Sequence, residues 1–166
     1  MQLAIGRLAT GKIKKGLEDL ESALTLDAGK SSVSVTLGMI HLRARNYDKA
    51  LLIARSLFKQ DDQNALAYNL AGTAMAGKRD YAAARANLER AMVIDPTFTQ
   101  AQSNLAELNR AEGKREAEKQ IYQQIAKREP GNTIAMIRLS RIAQIEERNS
   151  VAIKWLAKAR AVNPNL

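Results

Sequence analysis

A chain of 166 residues with 46% hydrophobic content is long enough to bury a core and too apolar for wholesale disorder. It has no cysteine, which excludes disulfides and thiolate metal sites, and no apolar run reaches the ~18 residues needed to span a bilayer. The formal net charge of +9 is spread as +4 over residues 1–83 and +5 over 84–166, which favours acidic partners without marking a basic tail.

Aromatics are 4% of the chain, and Ala, Leu, Lys, Arg, Glu and Gln dominate it. That mixture favours helix and leaves little that reads as strand. Residues 1–20 do not read as a signal peptide, because Lys12, Lys14 and Lys15 interrupt what would be its apolar segment.

The three prolines, Pro96, Pro130 and Pro164, are spaced 34 residues apart. Taking proline as position 32 of a 34-residue unit predicts a partial unit at 1–30 and full units at 31–64, 65–98, 99–132 and 133–166, without insertion or deletion. The partial unit has small or apolar Leu3, Ala4, Gly16, Leu20 and Ala23, a turn at Gly11-Lys12, and Asp27-Ala28-Gly29 to end it. Unit 31–64 has Leu37-Gly38, a turn at Arg45-Asn46, then Ala50, Ala54 and Leu57, and ends at Asp61-Asp62. Unit 65–98 has Ala71-Gly72, a turn at Lys78-Arg79-Asp80, then Ala84, Leu88 and Ala91, and ends at Asp95-Pro96. Unit 99–132 has Leu105-Ala106, a turn at Glu112-Gly113-Lys114, then Tyr122 and Ile125; here Glu118 stands where the other units have a small residue, with Ala117 beside it. Unit 133–166 has Leu139-Ser140, a turn at Arg148-Asn149, then Ala152, Leu156 and Ala159, and ends at Asn163-Pro164.

Within each unit the apolar positions recur at spacings of three and four, the period of two amphipathic helices joined by a polar or glycine-bearing turn. The chain is therefore read as all-α. Small residues at positions 8 and 20 let the two helix backbones approach closely, where a large side chain would overpack the contact by about 1–3 kcal/mol. Proline ends the second helix because it lacks an N–H, clashes with the carbonyl four residues back and disfavours helical geometry at the residue before it.

Groups for catalysis are sparse. His41 is the sole histidine and is read as a partly buried structural residue; no triad and no zinc site can be assembled around it. Asp61-Asp62 and Glu146-Glu147 read as solvated caps, the glycines show no phosphate-loop order, and Trp155 is a single aromatic. The reading is a non-enzyme with no cofactor, no metal and no catalytic residue.

Residues 65–98, ALAYNLAGTAMAGKRDYAAARANLERAMVIDPTF, place Tyr68, Gly72, Tyr81, Ala84, Leu88, Ala91 and Pro96 at offsets that resemble the tetratricopeptide repeat, and the likeness runs over the whole chain. Arg115 and Asn149 depart from it at the turn aromatic, and Glu118 at a small position. The resemblance implies a single TPR-like domain over 1–166, a right-handed superhelical solenoid of about five helix hairpins whose first helices line a peptide-binding concave groove. On its positions 2, 5, 6, 9, 12 and 13 the groove would present Met39, Arg43, Asn69, Thr73, Asn104, Glu107, Arg110, Arg138, Arg141 and Gln144. The arginines suit bidentate carboxylate binding, and the asparagines suit a peptide backbone. The two-carboxylate clamp of chaperone-tail receptors is matched at Asn104 and Arg138 but not at Asn69, Thr73 or Ile134, so that specificity is not expected.

Stretches such as LAYNLAGTAMAGKRDYAAARANLERAMVIDP and IKWLAKARAVNPNL also resemble the long repeat lipoproteins of Gram-negative exosortase/PEP-CTERM sorting systems. That resemblance implies a piece of a longer array, lipid-anchored in the bacterial periplasm or outer membrane; without it a cytoplasmic location stands. Met1 falls at position 5 of its unit and Leu166 at position 34, so polar caps are not evident and self-association through terminal helices is expected. The function expected is a scaffold for a protein or peptide partner. The alternative is a binder of an anionic polymer, RNA or acidic polysaccharide, through the basic surface. Nucleic acid is disfavoured because basic residues occupy both faces of the hairpins.

Overall fold

The computed structural model describes residues 31–166, so the readings placed on 1–30 lie outside the described residues. Eight helices follow one another there, and no strand occurs among the described residues. They are α1 (Ser31–Arg43), α2 (Tyr47–Gln60), α3 (Ala65–Gly77), α4 (Tyr81–Ile94), α5 (Thr99–Ala111), α6 (Arg115–Arg128), α7 (Thr133–Ile145) and α8 (Asn149–Val162). Every start and every end recurs after 34 residues, which is the period marked by the prolines.

Each hairpin turns by the same hydrogen-bond pattern. In the first, the N–H of Arg45 bonds the carbonyl of Leu42 and that of Asn46 bonds His41; the second, third and fourth repeat this at Arg79/Asp80, Gly113/Lys114 and Glu147/Arg148. This closes the last turn of the first helix as a Schellman motif and requires a left-handed residue at its apex. Those residues are Arg45 (φ 59°), Arg79 (φ 65°), Gly113 (φ 76°) and Glu147 (φ 57°), again 34 apart. The turn read at Arg148-Asn149 is corrected by one step: its apex is Glu147, and Asn149 already opens α8.

Three of the four described units end alike. Asp61, Asp95 and Asn163 each accept a side-chain bond from the N–H two residues later, at 2.9, 2.9 and 3.2 Å. The bond skips position 32, so proline has no donor to lose there, and Asp62 serves equally well. Asn64 and Asn132 then cap the following helices by accepting from the N–H three residues on, each at 3.0 Å, and Asp80 caps α4 within its hairpin turn in the same way, at 3.1 Å.

Two compact units divide the chain, Met1–Phe98 and Thr99–Leu166. In the first, α3 packs on both α1 and α2, and α4 packs on α3. Its core includes Ala50, Leu57, Leu70 and Ala74. Leu88 of α4 is 0% exposed, a burial that contributes about 1.5–3 kcal/mol. Close approach is literal here: a Cβ on Gly72 would lie 2.7 Å from Leu88 Cγ and 3.1 Å from the carbonyl oxygen of Ala84. His41, read as partly buried, is fully buried in α1 at 2% exposure.

In the second unit α6 packs on α5 and α7, and α8 packs on α7. Tyr122, Ile125, Leu139 and Ile142 form its core with Ala106 and Ala135. Lys119 of α6 reaches the carboxylate of Glu146 at 2.9 and 3.0 Å, pinning the turn that follows α7.

Candidate functional site

The first helix of each hairpin turns one face away from its own core, and the groove candidates lie on those faces. In the first unit Met39 is 48% exposed and Arg43 is exposed on α1. Asn69 and Thr73 are half-buried on α3, and the Thr73 hydroxyl donates to the Asn69 carbonyl at 2.8 Å, one turn back along the same helix. The side chains of Met39 and Arg43 have no hydrogen-bond or ion-pair partner among the described residues, so these four do not form one network.

The second unit does bring its candidates together. Glu107 on α5 accepts from Arg110 Nε at 2.9 Å, from Tyr122 Oη of α6 at 2.8 Å, and pairs with Arg138 of α7 at 2.9 Å. One half-buried carboxylate thus joins three helices. Asn104 accepts from Gln100 at 3.2 Å on the same helix. Arg141 and Gln144 are exposed on α7, and their side chains have no hydrogen-bond or ion-pair partner among the described residues.

Beside this network lies a cavity of about 180 Å³ lined by Arg110, Gly113, Arg115, Glu118, Arg138, Arg141, Ile142 and Ile145. Its origin is a change at two repeat positions. In the first unit the Tyr47 ring covers Gly77 so closely that a Cβ there would overlap it. The equivalent pair in the second unit is Arg115 and Ile145, and the missing ring leaves space. The small residue that packs at Ala50 and Ala84 is replaced by Glu118, which is 4% exposed.

Burial pushes the Glu118 carboxyl above the usual carboxylate range, and the neighbouring Glu107 charge adds to the shift, against the opposing pull of Arg110, Arg138 and Arg115. Burial likewise raises the Tyr122 phenol, assisted by its hydrogen bond to Glu107. Tyr122 and the convergence of Arg115, Glu118 and Ile145 were not predicted as part of the site. The signal available for them was the departure of Arg115 and Glu118 from the repeat pattern.

Among the described residues no group of three or more His, Cys, Asp or Glu is placed to hold a metal ion. No described helix is long and apolar enough to cross a membrane.

Comparison with known proteins bears on the fold. No family model and no curated protein matches the chain. Among solved structures, TTC0263, a thermophilic TPR protein of Thermus thermophilus, superposes with a TM-score of 0.83 at 18% identity, covering 99% of this chain and 90% of that one. The fold is that of the tetratricopeptide repeat. Two further TPR-fold neighbours are pilF of Pseudomonas aeruginosa, with a TM-score of 0.76 at 17% identity over 98% of this chain and 74% of that one, and YrrB, described as a TPR protein with an unusual peptide-binding site, with 0.63 at 18% over 99% and 84%. In this chain the networked charges sit on the first helices, on faces turned away from the core of their own hairpin.

Proposed function

We propose that the chain is a non-enzymatic scaffold that binds a protein or peptide partner along the exposed faces of its first helices. The observation that carries the reading is the network on α5–α7, where Glu107 holds Arg110 and Arg138 in place beside the unpartnered Arg141. Arranged side chains of this kind lose less entropy on binding than mobile ones. The peptide-binding site named for the structural neighbour YrrB supports the same class of partner.

Basic groups paired with acidic ones weigh against the anionic-polymer alternative. Lys119 pairs with Glu146, Arg110 and Arg138 with Glu107, and Lys78 with Asp48, so the positive surface is broken up locally. The narrower setting, a bacterial envelope export or sorting system, rests on the resemblance of LAYNLAGTAMAGKRDYAAARANLERAMVIDP and IKWLAKARAVNPNL to PEP-CTERM-associated lipoproteins. Self-association belongs to the same proposal, because α8 exposes Ile153 at 66%, Leu156 at 44% and Val162 at 49%.

The test is titration of the purified chain against a random-peptide library, RNA and an acidic polysaccharide at two salt concentrations. Peptide capture that survives high salt is expected. Polymer binding that weakens steeply with salt, with no peptide selected, overturns the reading.

A further inference from the structure

Glu118 is buried to 4% exposure in a column that is otherwise alanine in the described repeats, at Ala50, Ala84 and Ala152. Among the described residues its carboxyl group makes no hydrogen bond and no ion pair. Burial of the residue disfavours its charged form, and the charges of Arg110, Arg138 and Arg115 offset part of that cost without a direct bond. The group lines the 180 Å³ cavity, and four guanidinium groups share the lining. Glu107 engages two of them, Arg110 and Arg138. Arg115 and Arg141 have no side-chain partner among the described residues.

We propose that this cavity receives a carboxylate side chain of a partner peptide, clamped by Arg115 and Arg141, while Glu118 takes up a proton and donates a hydrogen bond to it. The proposal rests on the peptide-binding reading above and assigns the chemistry of one subsite. Two unpaired guanidinium groups offer the charge-assisted donors a carboxylate needs, and Ile142 and Ile145 provide an apolar wall for its methylene carbons.

Proton uptake follows from what surrounds Glu118. Glu107 and Arg110 face it from α5, Arg115 and Tyr122 from its own helix, and Arg138 and Arg141 from α7. The arginines stay charged across the neutral range. Glu107 is tied by three donors. Glu118 is therefore the group free to change state. An arriving anion raises its proton affinity further, so the complex holds the proton more tightly than the free protein does. Linkage then makes binding tighten as pH falls, by up to about tenfold per pH unit, until the ligand's own carboxylate titrates near pH ~4.

The experiment uses the full chain and a capped pentapeptide, acetyl-Gly-Gly-Glu-Gly-Gly-amide, with the Gln peptide and inorganic phosphate as comparisons. Titrations are followed by proton–nitrogen NMR at about pH 7.5 and about pH 5.5. Perturbation of the Gly113 amide and of the Arg115 and Arg141 Nε resonances is expected, with an affinity roughly tenfold tighter at the lower pH. Glu118→Gln fixes the uncharged form and is expected to bind tightly at both. Arg115→Tyr restores the ring found in the first unit and fills the space; with Arg141→Ala, it is expected to weaken binding at least about tenfold while thermal melts show an intact fold.

Equal affinity at both pH values, equal response to the Gln peptide, or tighter binding of phosphate overturns the proposal. If the Glu peptide leaves the cavity unperturbed while library-selected peptides still bind the first-helix faces, the subsite is wrong and the scaffold reading stands.

Discussion

Arg138 of α7 lies 2.9 Å from Glu107 of α5, whose carboxylate also accepts from the buried Tyr122 hydroxyl of α6. Three helices therefore depend on one negative charge. Glu107→Gln is expected to lower stability by about 1–2 kcal/mol, the low end for charged hydrogen bonds because the side chain is 30% exposed. Urea denaturation measures it, and an unchanged midpoint would mean the network orients side chains without stabilising the unit. The Tyr122 phenol is raised in the fold, so its contribution is intact at neutral pH and fades above ~10, the value of an unfolded tyrosine. Alkaline absorbance titration should find Tyr122 ionising later than the other tyrosines, and earlier once Glu107→Gln removes the neighbouring charge.

The sign for Glu118 has a different consequence. Its carboxyl is raised in the folded state, so the contribution of this group to stability is fully present below the unfolded value of ~4.3 and is lost as pH rises through the folded value. At neutral pH the ionised form is a burden. Glu118→Gln is expected to stabilise the chain by about 0.5–1.5 kcal/mol near neutrality, with the gain shrinking toward pH ~4. Melting temperatures across that range test it; a destabilised variant at neutral pH would show that the surrounding arginines outweigh burial.

Two close approaches differ in how much they can yield. A Cβ on Gly72 meets the Leu88 branch carbon and the Ala84 carbonyl oxygen, whereas the three atoms nearest to one on Gly38 all belong to the Leu70 side chain. Gly72→Ala is expected to cost about 1–3 kcal/mol from overpacking. Gly38→Ala is expected to cost less, because the Leu70 methyl groups can rotate and alanine favours helix by about 1 kcal/mol. Denaturation midpoints of the pair check the order.

At the hairpin apex three of four described repeats hold a non-glycine residue in left-handed geometry. Arg79→Gly is expected to stabilise by roughly 0.5–1 kcal/mol and Gly113→Ala to destabilise by about 1 kcal/mol. Opposite signs in the two unfolding curves are the measurable outcome.

Over the described residues the 34-residue period was legible, because proline's missing N–H and the small residues at close helix contacts restrict particular columns. Helix bounds in the described residues follow from it. The apex residues were less visible: Arg45, Arg79 and Glu147 carry no compositional mark of positive φ, and the fourth turn was placed one residue late for that reason. Of the groove candidates, Asn104, Glu107, Arg110, Arg138 and Arg141 could be put on helix faces by spacing. That Glu107 would gather Arg110, Arg138 and Tyr122 could not, since the partners come from three helices. Arg115 and Glu118 were legible as departures from the pattern. Their meeting around a cavity depends on packing between α6 and α7.

The most direct test of the scaffold account is an NMR footprint of peptides selected from a random library against the full chain. The account predicts that resonances of α5 and α7, at Asn104, Arg110, Arg141 and Gln144, shift on binding, and that Arg141→Ala removes the interaction. Shifts confined to α6 and α8, with binding indifferent to Arg141, would contradict it.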